Sequence, residues 1–95
     1  MIGPRARGDL AFHPQRQAHG PAAVHVRDPG TGRWFRLDEI EALLLAAMDG
    51  SRSEEDLAAL MAARGRRCPV ELVRDLTVRA ARLGLLEGEI GRAHV

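Results

Sequence analysis

The chain has 95 residues, 45% hydrophobic and 28% charged, which suffices for one globular domain and is too short for a second core. Its longest apolar stretch, Ala42–Met48, is far shorter than the roughly 20 residues that span a bilayer. Met1–Asp9 lacks the apolar core of a signal peptide. A single cysteine, Cys68, excludes an internal disulfide. These features predict a cytoplasmic protein that does not enter a membrane.

The net charge of +1 conceals a segregation of charge along the chain, in which all fourteen basic residues are Arg. Residues 1–37 hold six Arg and two acids, residues 38–63 one Arg and seven acids, and residues 64–95 seven Arg and four acids. If the two basic segments meet in space, they form a positive patch that attracts an acidic partner. The alternative is that the charges form separate solvated faces.

Two runs with strand character flank a turn in the first half of the chain. Ala22–Asp28 alternates, with Val24 and Val26 on one face, as a half-buried strand requires. Asp28–Gly32 contains one Pro and two Gly, which is typical of a turn. Arg33–Leu37 follows as the returning strand, so the sequence predicts a β-hairpin.

After Leu37 the apolar period changes from two to about 3.6, which marks a change from strand to helix. Capping, dipole and stop signals predict three helices, from Asp38 to Gly50, from Ser53 to Gly65 and from Pro69 to Gly84. In the first helix, Asp38 and Glu41 have the spacing of a capping box.

Strands followed by three closely connected helices predict an α+β domain, winged-helix-like, with a three-stranded antiparallel sheet. A short edge strand is expected around Leu10–Phe12, ending quickly because of Pro14 and the polar residues after it. We expect the folded domain to cover residues 9–87, with Leu85 and Leu86 folded back onto the core. Residues 1–8 and 88–95 are expected to be flexible, because they mix Gly and Arg with little to bury.

Patterns that support catalysis or metal binding are scarce. The four histidines are scattered, at positions 13, 19, 25 and 94, and Cys68 has no metal-ligand neighbour at a suitable spacing. No Ser lies in a nucleophile elbow, and Gly30–Gly32 falls in a hairpin instead of between a strand and a helix. Glu54–Asp56 fills the first turn of a helix, where negative charge is favourable. We therefore expect no catalytic residue, no metal, no cofactor and no enzymatic activity.

The strand Arg33–Leu37 is a candidate binding surface. Alternation places Arg33, Phe35 and Leu37 on one face, and Trp34 and Arg36 on the other. Trp34, the only Trp, is then either an exposed anchor for a partner or a support buried under neighbouring segments.

The third predicted helix has an apolar-to-small arc that covers about half of its circumference, wider than packing on one neighbour requires. Either part of this arc faces a groove, or the first two helices cover all of it. An exposed strand beside such a helix suits β-augmentation, in which an extended peptide adds a strand to a sheet.

Several short motifs in their order and spacing resemble the PqqD-like family, also known as RiPP precursor-peptide recognition elements, RiPP meaning ribosomally synthesised and post-translationally modified peptide. They are Gly32-Arg33-Trp34-Phe35-Arg36-Leu37-Asp38, the Asp49-Gly50 junction before Ser53-Glu54-Glu55-Asp56-Leu57, and Leu83-Gly84-Leu85-Leu86. The resemblance covers roughly Leu10 to Glu87.

The resemblance implies a non-catalytic domain that binds the leader of a precursor peptide as an added strand, in a cleft beside the third helix. The leader would be presented to a separate modifying enzyme, for example a radical SAM enzyme, a protease or a cyclase. Transferred by position, the expected peptide contacts are Arg33, Trp34, Phe35, Arg36, Val73, Arg74, Thr77 and Ala81.

Two other functions use the same predicted fold. A winged-helix transcription factor would bind DNA through exposed cations such as Arg74, Arg79 and Arg82, but Glu71 and Asp75 lie among them and the net charge is low for duplex binding. Nucleic acid is therefore not the expected partner. A structural or oligomerising module would use the wide helix face as a dimer seam, so pairing of two chains stays open.

Overall fold

The computed structural model describes residues 3–15 and 23–87 of the chain. Its elements, in order, are β1 (Ala11–Gln15), β2 (Ala23–Asp28), β3 (Arg33–Asp38), α1 (Glu39–Ala47), α2 (Glu54–Ala63) and α3 (Val70–Arg82). An antiparallel three-stranded sheet is followed by three helices, which confirms the predicted α+β fold. In this described part, no helix has the length and apolar character needed to cross a membrane.

The sheet has the order β1-β2-β3, so β2 is central and both β1 and β3 are edge strands. Asp28 pairs with Arg33 across the hairpin turn, which joins β2 and β3 as the sequence predicted. The first strand, expected around Leu10–Phe12 with an early end, instead runs from Ala11 through Pro14 to Gln15. Proline is tolerated there because an edge strand leaves half of its N–H groups unpaired.

The first two helices begin at reciprocal capping boxes. At α1, the Asp38 carboxylate accepts the Glu41 N–H at 2.7 Å, and Glu41 accepts the Asp38 N–H at 3.0 Å. At α2, Ser53 and Asp56 exchange the same two hydrogen bonds, both at 3.1 Å. α3 follows Pro69, as predicted, without a side-chain cap. Satisfying the free N–H groups in this way fixes where each helix begins.

The hydrophobic core lies between the helices and the face of the sheet that carries Val26 and Leu37, which we call the inner face. The largest fully buried side chains are Leu44, Leu45, Leu57, Met61, Leu85, Val26 and Val73. Leu85 and Leu86 are buried, so the prediction that they return to the core is confirmed.

Residues 3–7 are attached to the domain by backbone hydrogen bonds, which the sequence did not predict. The Ala6 N–H donates to Met48 O at 2.8 Å, and the Arg7 N–H donates to Leu85 O at 2.9 Å. The Glu87 N–H donates to Arg5 O at 2.7 Å, and Ala6 packs against the core. Residues 3–7 therefore make contacts with the domain although they lie outside its expected bounds of residues 9–87. Residues 88–95 and the histidines at 19 and 94 lie outside the described residues.

Arg7 anchors this segment to the sheet. Its guanidinium lies against the carboxylates of Asp28 and Asp9, with contacts of 2.9 and 2.8 Å, and donates to Gly84 O at 3.1 Å. The hydrogen bond from Arg7 holds the pKa of the buried Asp28 carboxyl below its usual value, although burial opposes the shift. The Arg7 guanidinium therefore links residues 3–7 to the end of β2 and to Gly84, just after α3.

Candidate functional site

β3 combines a free strand edge with exposed large side chains. It pairs with β2 on one side, and within the described residues no strand pairs with its other side. Arg33, Trp34 and Arg36 are exposed, Phe35 is half-buried and Leu37 is buried. Alternate N–H and C=O groups of an edge strand point away from the sheet, so β3 is a template on which another strand can form.

The inner face of β3 presents an Arg stacked on an aromatic ring. The Arg33 guanidinium carbon lies 5.1 Å from the centroid of Phe35, at cation-π distance. Leu37, two residues further along the same face, is part of the core. The inner face therefore runs from an exposed cation at the hairpin end to a buried aliphatic side chain at the start of α1.

The outer face of the sheet, which points away from the helices, carries Trp34. Its side chain is exposed, at 54% of the residue's accessible surface. The Trp34 ring centroid lies 5.2 Å from that of His13 and 6.4 Å from that of His25, so one residue from each strand forms an aromatic row. Because Trp34 is exposed, the interpretation of it as a buried support is wrong.

Glu41 connects β3 with α3. Its carboxylate accepts the N–H of Asp38, the last residue of β3, and forms an ion pair with Arg79 of α3. The part of α3 around Arg79 therefore faces the start of α1 and the adjoining end of β3. Leu72 and Leu83, both half-buried, lie close to Arg79 on the helical wheel.

The four predicted contact residues of α3 lie mainly towards the core and α2. Val73 is fully buried, and the Thr77 hydroxyl donates to Val73 O at 2.8 Å. Arg74 donates to Glu54 of α2 at 3.2 Å, and Ala81 is half-buried against the core. At about 100° per residue, Arg74 and Arg79 are separated by about 140°, so they face different neighbours.

Arginines in the described part of the chain divide into two groups. Six of them form ion pairs with carboxylates: Arg5, Arg7, Arg52, Arg66, Arg74 and Arg79. The others have no carboxylate partner among residues 3–15 and 23–87: Arg27, Arg33, Arg36, Arg64, Arg67 and Arg82. Three of the unpaired cations therefore belong to the β2-β3 hairpin, whereas the acids of α1 and α2 neutralise Arg66, Arg74 and Arg79.

A cavity of about 340 Å³ lies at the other edge of the sheet. Its walls include Phe12 of β1 with the preceding Leu10, Leu45 of α1, and Arg5 and Glu87 from the two ends of the described chain. In the described residues, no group of three or more His, Cys, Asp or Glu side chains is arranged to hold a metal ion. The candidate site is therefore the β3 edge and the adjoining side of α3.

Comparison with known proteins gives one similarity in fold. No family model matches the chain, and no curated protein matches it. A solved structure, "TbiB1 in Complex with the TbiA(beta) Leader Peptide", is similar with a TM-score of 0.60 and 20% sequence identity, covering 88% of this chain and 95% of that one. The similarity extends over nearly the whole of both chains and, at this identity, establishes a shared fold.

Proposed function

We propose that the chain binds the leader of a precursor peptide as a strand added to β3, and presents it to a separate modifying enzyme. The observation that carries this proposal is the edge of β3, which pairs with no other strand among the described residues, together with its exposed Arg33, Trp34 and Arg36. Main-chain hydrogen bonds to such an edge give affinity, and the flanking side chains give specificity. The similar fold of a protein solved with a leader peptide supports the same function.

The β3 half of the proposed site consists of Arg33, Trp34, Phe35 and Arg36. For the α3 half, the ion pairs favour the side of the helix that carries Leu72, Arg79 and Leu83 over the side of Arg74, Thr77 and Ala81. Arg79 is joined through Glu41 to the end of β3, whereas Arg74 is joined to α2. A leader lying along β3 would then have the half-buried Leu72 and Leu83 on its helix side.

This proposal includes a non-catalytic role and membership of the PqqD-like family. The domain would supply affinity for the leader, while a radical SAM enzyme, protease or cyclase would supply the chemistry. The DNA-binding alternative loses support from the ion pairs, because Arg74 and Arg79 are neutralised by Glu54 and Glu41. Of the three cations expected on a recognition helix, only Arg82 keeps an unpaired charge within the described residues.

The proposal is tested with a panel of synthetic candidate leader peptides, titrated against the protein while Trp34 emission and backbone amide exchange are followed. We expect a leader to protect amides of β3 and to change Trp34 emission. Phe35→Ala and Leu83→Asp should each weaken binding by about tenfold, equivalent to about 1.4 kcal/mol.

Leu60→Asp, at a half-buried position of α2, is the matched control for a charge introduced beside the core. Circular dichroism should first show that each variant is folded. A leader that binds without protecting β3 amides, or with equal affinity for Phe35→Ala and the unaltered chain, would refute the proposed site.

A further inference from the structure

We infer that β3 selects an extended segment with two acidic side chains three residues apart, separated by two apolar residues. This inference rests on the proposed function and specifies the chemistry of the peptide. It follows from the order of side chains along β3, from their charges and from the carboxylates that the domain already uses.

The two exposed arginines of β3 determine where the side chains of an added strand would lie. Arg33 and Arg36 are three residues apart, so their side chains lie on opposite faces of the sheet. Arg33 lies over Phe35 on the inner face, and Arg36 pairs in register with His25 on the outer face. A strand added beside β3 places one residue next to each of these two arginines, again three positions apart and on opposite faces.

Arg33 and Arg36 both present a positive charge at the edge of β3. Neither has a carboxylate partner in the described part of the chain, although six other arginines there have one. Opposite charges on adjacent strands stabilise their pairing, and like charges oppose it. Two cations on the edge therefore favour an acidic strand and disfavour a basic one, which gives selectivity through repulsion as well as attraction.

Two positions of the added strand lie between its two acidic residues. An added strand places these residues next to Phe35 on the inner face and Trp34 on the outer face. Phe35 is half-buried beside the core, and the exposed Trp34 ring lies near the rings of His13 and His25. Both neighbours are aromatic, so apolar side chains at these positions remove the most water from them. The selected segment therefore has four consecutive residues in the order acidic, apolar, apolar, acidic.

A second copy of the chain does not offer a strand that fits beside β3. The described strands contain two carboxylates, those of Asp28 and Asp38. Asp28 is bound to Arg7, and Asp38 caps α1. A second copy could offer its own β3, which brings two more arginines, or its β1, which contains no carboxylate, so neither edge strand supplies a free acid opposite Arg33 and Arg36. The fitting partner is a different, acidic segment.

The experiment is a display selection of random eight-residue peptides on the immobilised full chain. We expect enrichment of Asp or Glu at two positions three apart, with apolar residues between them. Selection on Arg33→Glu/Arg36→Glu should instead enrich Lys or Arg at those positions, and enriched acidic peptides should bind this double variant at least about tenfold more weakly, as expected for two cross-strand pairs.

Arg64→Glu, at the exposed end of α2 and also without an ion pair in the described residues, is the matched control and should enrich the same acidic peptides as the unaltered chain. Enriched peptides that protect β3 amides but lack the acid pair would overturn this inference and leave the proposed function standing. Enriched peptides that leave β3 amide exchange unchanged, or the absence of any enriched peptide, would overturn both.

Discussion

Arg7 and Asp28 form a two-pronged ion pair, with Nη1 3.0 Å from Oδ2 and Nη2 2.9 Å from Oδ1. Two parallel N–H···O contacts fix the direction of a guanidinium as well as its distance. Asp28 is the residue of β2 that pairs with Arg33, and it also accepts the Gly30 N–H at 2.9 Å. The ion pair therefore supports the turn from which β3 starts.

The stability of the domain should decrease as the pH falls through the acidic range, in part because of Asp28. Its pKa is lower in the folded chain than in the unfolded chain, because the carboxylate accepts hydrogen bonds from Arg7. Its contribution is therefore complete above the unfolded pKa and is lost as the pH falls through the folded value. Urea unfolding between pH 7 and pH 3 measures this, and Asp28→Asn should show a weaker dependence on pH.

Arg7→Lys is the control for this effect. It keeps a positive charge near Asp28 but loses the two-pronged geometry, so it should retain more of the pH dependence than Arg7→Gln. Equal pH dependence in the unaltered chain and in Asp28→Asn would contradict the role assigned to this ion pair.

Gly3→Ala should detach the N-terminal segment from the domain. A Cβ at position 3 would lie 1.7 Å from Arg52 O, a backbone atom that cannot move aside easily. We expect a loss of about 1–3 kcal/mol in the free energy of unfolding, together with faster exchange of the Ala6 and Gly50 amides. Gly8→Ala is the control, because nothing lies within 4 Å of its added Cβ. Unchanged exchange in Gly3→Ala would show that the segment is not held at this contact.

Leu44→Ala should be strongly destabilising, since Leu44 is fully buried in the middle of α1. Leaving a cavity at such a site costs about 2–5 kcal/mol. Val78→Ala, on an exposed position of α3, should change the free energy of unfolding by less than about 0.5 kcal/mol. Chemical denaturation of both variants checks the comparison, and similar losses would contradict the assignment of the core.

Cys68 should react slowly with thiol reagents in the folded protein. Its side chain is buried, and desolvation raises the pKa of the thiol, so less of the reactive thiolate is present at neutral pH. As the single cysteine of the chain, it reports opening of the fold. Labelling should accelerate in urea in parallel with loss of circular dichroism. Rapid labelling without denaturant would show that the α2-α3 connection opens independently.

Local signals were sufficient to predict most of the elements. The capping pair Asp38 and Glu41 and the turn Asp28–Gly32 depend on residues close together in sequence, and the structure forms them where they were predicted. The strand β3 was predicted for the same reason, because alternation assigns Trp34 and Phe35 to opposite faces. Pro14 was misleading although an edge strand was expected, because an edge strand can continue through a proline where its N–H would be unpaired.

Long-range contacts explain what could not be predicted. Residues 3–7 have no periodic pattern, and their hydrogen-bond partners lie more than forty residues away, at Met48 and Leu85. The side of α3 that faces the start of α1 could not be predicted either. Arg74 and Arg79 are both exposed arginines with similar neighbours in sequence. Only the positions of Glu54 and Glu41 distinguish them.

The backbone hydrogen bond from the Glu87 N–H to Arg5 O brings the first and last described segments of the chain together. A short linker between these two residues would therefore give a circular permutant whose new ends could be placed elsewhere, for example in the exposed turn around Gly32. Because Arg5 and Glu87 line the cavity at the β1 side of the sheet, such a linker would run on the opposite edge from β3. A linker in this position would therefore leave the β3 edge, where we propose that a peptide binds, uncovered.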